Sequence, residues 1–193
     1  IYLELKVFDA AAKSVAAVTS NEADIGFFAI DPLRGEGISF TAAYVHIEGY
    51  YLVRQESPLK LNSEVDKAGI RVTAAKGSAY DLYLTRNLKN AALVHSVTSQ
   101  TVTDTYLQNG TDAAAGVKQQ LESDILRLEG KTKLRLLETN FMVIAQAMGI
   151  PNNRGAAAHE YMKNFVEEMK RSGFVAASLK RHNIQGAAVA PLA

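Results

Sequence analysis

The sequence predicts an α/β protein with mixed sheets flanked by helices, and three observations predict it. Asp24 to Ile30, DIGFFAI, has the length and near-continuous apolar character of a strand covered on both faces. From Gly69 to Leu128 short apolar runs alternate with helical patterns, as βα units do. Near the end, Met162, Phe165, Val166 and Met169 fall at i, i+3, i+4 and i+7, the spacing of one buried helix face.

Taken in order, Tyr2 to Phe8 alternates like a strand, and Ala10 to Thr19 reads as a short alanine-rich helix. With the strand at Asp24 they form an expected βαβ unit, so the opening third is expected to hold a parallel sheet. Asp31-Pro32 stops that strand, because proline donates no ladder hydrogen bond, and Asp31 to Gly37 reads as a loop at its carboxyl end. Ile38 to Tyr44 and Gly49 to Gln55 are extended, with a boundary between Val45 and Val53. Next come a strand over Gly69 to Ala74, a helix over Ser78 to Lys89, and a strand over Leu93 to Val97. A helix over Gln100 to Gln108, a strand over Asp112 to Ala115 and a helix over Lys118 to Leu128 follow. Leu134 to Leu137 and Met142 to Gln146 are extended, and Gly149, Pro151 and Asn152-Asn153 break the pattern. A helical tail closes the chain, with Phe174, Val175 and Leu179 forming its second apolar face.

Composition removes several function classes. The 193 residues are 48% hydrophobic and 21% charged, ordinary for a globular protein of one large or two small domains. A net charge of +1 with no basic run disfavours nucleic acid as partner. The absence of cysteine excludes disulfides, thiolate metal sites and cysteine nucleophiles. No apolar run approaches the ~18 residues of a membrane span, so no membrane insertion of this segment is expected. No basic-then-apolar leader stands at Ile1, so an exported protein would have lost its signal peptide.

The chemistry concentrates in three places. Arg34 lies just beyond the carboxyl end of the 24–30 strand, where open α/β sheets bind ligands, and its planar guanidinium suits a carboxylate. The alternative is a solvated arginine beside Asp31 and Glu36. Gly77-Ser78-Ala79-Tyr80 closes a strand and opens a helix, so unpaired N–H groups and the positive dipole end make an anion seat. Ser78 is equally a plain N-cap, with Asp81 three residues on. Asp112 to Lys118, through Gly116 and Val117, ends a strand in small residues, for close ligand approach or for tight strand-to-helix packing. His46, His95, His159 and His182 have no metal-ligand spacing, and neither a Walker loop nor a nucleophile elbow is present.

The order of these motifs resembles the type 2 periplasmic solute-binding proteins of ABC transporters, in the family 3 branch related to polar amino-acid binding proteins. The resemblance spans nearly the whole chain: AVTSNEADIGFFAIDPLRGEGISFTAAY, GIRVTAAKGSAYDLYL, TDAAAGVKQQL and FVEEMKRSGFVAASLKRH. It implies two lobes joined by two extended crossovers, with 1–48 and 146–193 as lobe 1 and 49–145 as lobe 2. It also implies a small carboxylate or amino-acid-like ligand held in the inter-lobe cleft by hinge closure, no cofactor, an inner-membrane ABC permease as partner, and a periplasmic location. Carried over by position, Arg34 looks like the grip on the ligand's carboxylate, with Phe27, Ala29 and Asp31 beside it. Gly77, Ser78, Ala79 and Tyr80, with Gly116 and Val117, look like the contacts from the other lobe.

Two departures bear on the ligand. Where the family's amino-acid binders usually place an acid to hold an ammonium, this chain has Val117 followed by Lys118, and Phe27 and Ala29 replace frequent serines. The expected ligand is therefore a small organic anion with an apolar or aromatic body, since an uncompensated ammonium in a cleft is costly. Family members usually carry a further strand and helix before the point matching Ile1, so the chain reads as a fragment or a short form. The resemblance leaves two other uses of the fold: a cyclohexadienyl dehydratase-like enzyme, with Glu48 or Asp31 as its acid, and a periplasmic sensor domain.

Overall fold

A computed structural model of the protein describes residues 2–193. The chain divides into two compact units, one built from the residues up to His46 together with Ala145–Ala193, the other from Ile47–Ile144.

The first unit contains α1 (Ala11–Thr19), β1 (Gly26–Ala29), α2 (Pro32–Gly35), the opening part of β2 (Ile38–Arg54) and most of β7 (Met142–Pro151). It is completed by α6 (Ala156–Arg171), α7 (Phe174–Arg181) and β8 (Ala187–Val189). Its strands are ordered β1-β7-β2, with β8 also on β2. β1 and β7 are antiparallel, Phe28 facing Ala147 and Ala29 facing Gln146. Alternation along the strands builds two cores. Phe28 and Ile38 meet Val18 of α1, while Met148 and Ile150 meet Met162 and Val166 of α6. Of the helical stripe read from the sequence, Met162 and Val166 are buried, whereas Phe165 is exposed and Met169 half-buried.

Lys170 is the polar anchor of this unit. Its buried ammonium lies 2.6 Å from Glu167 Oε1 and donates to the carbonyls of Ala43 (3.0 Å) and Pro191 (2.7 Å). Glu167 Oε2 accepts the N–H of Ala193 at 3.2 Å, so one ion pair ties α6 to β2 and to the last residues.

The second unit contains the rest of β2, β3 (Arg71–Ala75), α3 (Ala79–Asn87), β4 (Ala92–Ser96), α4 (Val102–Asn109), β5 (Ala113–Val117), α5 (Lys118–Arg127) and β6 (Leu134–Leu136). Strand order is β2-β5-β3-β4, with β6 on β2. β3 runs parallel to both β4 and β5, whereas β5 and β6 are antiparallel to β2. The residues Ala113, Ala114 and Ala115 of β5 are wholly buried, as are Val72 and Ala74 of β3. Central strands covered on both faces read as continuous apolar runs for this reason. Tyr106 of α4, Leu84 of α3 and Leu121 of α5 complete that core.

Several expectations are corrected. Tyr2 to Phe8 is not a strand: the segment lacks ladder pairing, and Tyr2 and Val7 are 89% and 94% exposed. Alternation supplies a face, but a strand exists only where a neighbour accepts its hydrogen bonds. Among the described residues no βαβ unit therefore opens the chain, and β1 pairs with β7 antiparallel. Asp31 to Gly37 contains a helical turn, because Asp31 caps it and Pro32 suits its first position. The two extended stretches at 38–44 and 49–55 are one strand of 17 residues. Gly149 and Pro151 lie inside β7; Gly149 pairs with Gly26, and a Cβ there would collide with Ile38, so close packing explains the glycine. β8 lay outside the expected elements.

Candidate functional site

In the first unit β1 delivers the chain to α2. Asp31 adopts extended backbone and its Oδ1 accepts the Leu33 N–H at 2.9 Å, so the carboxylate is the cap of α2. That cap fixes the turn carrying Arg34. The Arg34 side chain folds back along β1, its Nη1 donating to the Ala29 carbonyl at 3.1 Å. Arg34 is 6% exposed, and Ala29 and Asp31 are also buried. Burial draws the guanidinium below its usual range, and the Asp31 charge opposes this. Even so, an arginine side chain stays cationic in proteins, so a positive charge is held in a low-dielectric place.

Ala29, Asp31 and Arg34 are thus gathered, but Phe27 is not. Its ring is 64% exposed and meets Tyr44 edge-on at 6.1 Å. It lines an apolar groove of about 500 Å³ with Met148, Phe165 and Phe174.

In the second unit, β3 hands over to α3 through Gly77, whose φ of +73° favours glycine. Ser78 is the N-cap, its Oγ accepting the Asp81 N–H at 3.1 Å. Asp81 Oδ2 returns the contact by accepting the Gly77 N–H at 2.8 Å, and its Oδ1 lies 2.8 Å from His95 Nε2. The Tyr80 hydroxyl donates to Ser99 Oγ at 2.9 Å, and burial raises its pKa. The helix's own carboxylate therefore answers Gly77, while the N–H groups of Ala79 and Tyr80 have no intrahelical partner.

Gly116 and Val117 end β5, and Lys118 begins α5 with no side-chain cap. A Cβ on Gly116 would lie 2.9 Å from Leu121 Cδ2, so helix-to-strand packing accounts for its smallness. Lys118 Nζ sits 5.2 Å from the Tyr50 ring centroid and 3.9 Å from Glu48 Oε2. Tyr50 is the member of this group that sequence reasoning missed. Its signal is the register, since it pairs with Gly116 across β2 and β5.

Among the described residues no group of three or more His, Asp or Glu side chains could hold a metal ion. His159 lies 2.8 Å from the Phe40 carbonyl, and His182 lines the apolar groove. No helix among them is long and apolar enough to cross a membrane.

No protein-family model matches the sequence, and no curated protein does. Solved structures do match. A putative binding component of an ABC transporter from Wolinella succinogenes, complexed with lysine, superposes with a TM-score of 0.74 at 18% identity, covering 93% of this chain and 78% of that one. A histidine kinase sensor domain similar to periplasmic binding proteins gives 0.76 at 15% identity, covering 94% and 78%. An ancestral amino-acid-binding protein, a precursor of cyclohexadienyl dehydratase, gives 0.68 at 15%, covering 86% and 72%. The chain thus has the mixed α/β fold of the type II periplasmic binding proteins, the class to which receptors of ABC transporters belong. At these identities the likeness concerns the fold, and the same fold serves receptor, sensor and enzyme precursor.

Proposed function

We propose that this protein is an extracytoplasmic, non-enzymatic solute receptor of an ABC importer, acting in the periplasm and delivering a small organic anion to an inner-membrane permease. The observation that carries this reading is the Arg34 guanidinium, buried at the carboxyl end of β1 and held by the Ala29 carbonyl. A desolvated guanidinium binds a carboxylate more strongly than a surface one does, because water competes less. Ala79 and Tyr80 at the start of α3, with the Gly116 to Lys118 turn, supply the further ligand contacts, and binding is coupled to hinge closure. Val117, followed by Lys118, stands where related amino-acid binders usually carry an acid, which favours a carboxylate with an apolar or aromatic body over a zwitterion with a free ammonium. Asp31 is engaged as the cap of α2, which supports binding rather than acid catalysis.

The test is a thermal-shift screen over carboxylic and amino acids. A ligand at about 100 times its Kd adds ~2.7 kcal/mol to folded-state stability. A shift produced by monocarboxylates and abolished in Arg34→Ala supports the reading. Equal shifts in the wild type and in Arg34→Ala would overturn it, as would preferential binding of arginine or lysine.

A further inference from the structure

Tyr2 to Phe8, YLELKVF, runs up to α1 without a helix, turn or bend, and among the described residues its main chain makes no backbone-to-backbone hydrogen bond. Leu3 and Leu5 are 76% and 79% exposed, and Tyr2 and Val7 are more so. Apolar side chains beside unpaired main-chain donors and acceptors are a template for a further strand.

The segment's own unit does not supply that strand. β1 is the end strand of its sheet, but its Ala29 carbonyl already accepts Arg34 Nη1 at 3.1 Å, and Phe28 and Ala29 are buried. Lys6 reaches Glu22 at 3.3 Å; both side chains remain open to solvent, so this pair is weak and exchangeable.

Read in reverse, the segment is complementary to itself. Alternation sets Tyr2, Glu4, Lys6 and Phe8 on one face and Leu3, Leu5 and Val7 on the other. When two copies run antiparallel about a two-fold axis at Leu5, Glu4 of each faces Lys6 of the other, Tyr2 faces Phe8, and Leu3 faces Val7. Opposite charges, paired rings and paired aliphatic groups are the favourable cross-strand combinations. Moving the axis to Glu4 or to Lys6 sets two like charges opposite each other, as does parallel pairing in register.

We propose that Tyr2 to Phe8 is a dimerisation strand, which pairs antiparallel with the same segment of a second copy, centred on Leu5. The two-fold closes the contact at two copies, because each strand offers the same edge to its partner. A contact of this length buries ~1,000 Å² in total, the lower limit of a specific interface, so the dimer forms reversibly.

The experiment is sedimentation velocity on the full chain from about 10 μM to 1 mM at low salt, where ion pairs are least screened. The average mass should rise toward twice the monomer's and no further. Glu4→Lys and Lys6→Glu each set like charges opposite in a homodimer and should raise its dissociation constant about tenfold. An equimolar mixture of these two variants should regain the wild-type constant, because every charge again faces its opposite. Register is read by cysteine, which the chain lacks. Leu5→Cys sets two thiols face to face and should oxidise to a covalent dimer, whereas those of Leu3→Cys stand ~14 Å apart, too far to bridge. The three positions lie outside every described helix and strand, and an unchanged thermal midpoint shows that each variant is folded. A monomer at every concentration, a mixture no tighter than its components, or equal oxidation of Leu3→Cys and Leu5→Cys would overturn the proposal. Arg34 plays no part in these measurements, so the carboxylate screen and the pairing test can fail separately.

Discussion

Gly77 and Asp81 close a ring at the start of α3, the backbone N–H of Gly77 donating to Asp81 Oδ2 at 2.8 Å while Asp81's own N–H is received by Ser78 Oγ at 3.1 Å. The helix thus supplies its own anion at its positive end. Replacing Asp81 by Asn removes that charge while leaving the side chain's shape. Because the carboxylate is nearly fully buried and also lies beside His95, stability should fall by about 1–2 kcal/mol. Anion affinity should rise, since a like charge beside the seat has gone. Chemical denaturation and the ligand titration, run on the same variant, check the two signs.

Ser78→Ala separates the two uses of this serine. As a cap alone it costs about 1 kcal/mol and leaves the ligand-induced thermal shift intact. As a cap that also donates its hydroxyl proton to the ligand, it reduces the shift as well. Ser78→Gly, which retains much of the capping stability, isolates the ligand effect.

Gly116→Ala tests packing. The new Cβ would meet Leu121 Cδ2 at 2.9 Å, the far end of a flexible side chain, so the cost should be modest, about 1 kcal/mol. Adding Leu121→Val should restore part of it. Urea midpoints of the two single variants and the double variant give the coupling directly.

The ion pair of Lys170 with Glu167 should shape the acid limb of stability. Lys170 holds the Glu167 carboxyl below its ordinary value of 4.5. Its contribution is therefore complete above about pH 4.5 and is lost as pH falls through the lower, folded-state value. Glu167→Gln should flatten the thermal-midpoint profile in that range and change little at higher pH in the profile's shape.

Lys170→Met removes a buried ammonium from three acceptors at once. Glu167 and the carbonyls of Ala43 and Pro191 would lose their donor, and the expected loss is about 3 kcal/mol. The double variant with Glu167→Leu should recover part of this, measured by chemical denaturation.

Most helices and the second unit's strands were legible in the sequence because their signals are local. Ser78 with Asp81 marks a helix start through contacts three residues apart, and the spacing of Met162 and Val166 marks the buried face of α6. Arg34 was legible for the same reason: an apolar run followed by Asp-Pro places it beyond a strand end. The continuity of β2, the existence of β8 and the absence of a strand at Tyr2 to Phe8 were not, since each depends on which distant segment offers ladder hydrogen bonds.

The sequence by itself determined the charge, the local patterns that mark most helices and the second unit's strands, and the placing of Arg34 just beyond a strand end. Only the tertiary structure decided that Phe27 enters an apolar groove while Arg34 folds onto Ala29, that Asp81 meets His95, and that Tyr50 lies beside Lys118. The reason is physical: periodicity fixes which face a side chain takes, but its partner on that face is set by strand register and helix packing between residues far apart in the chain.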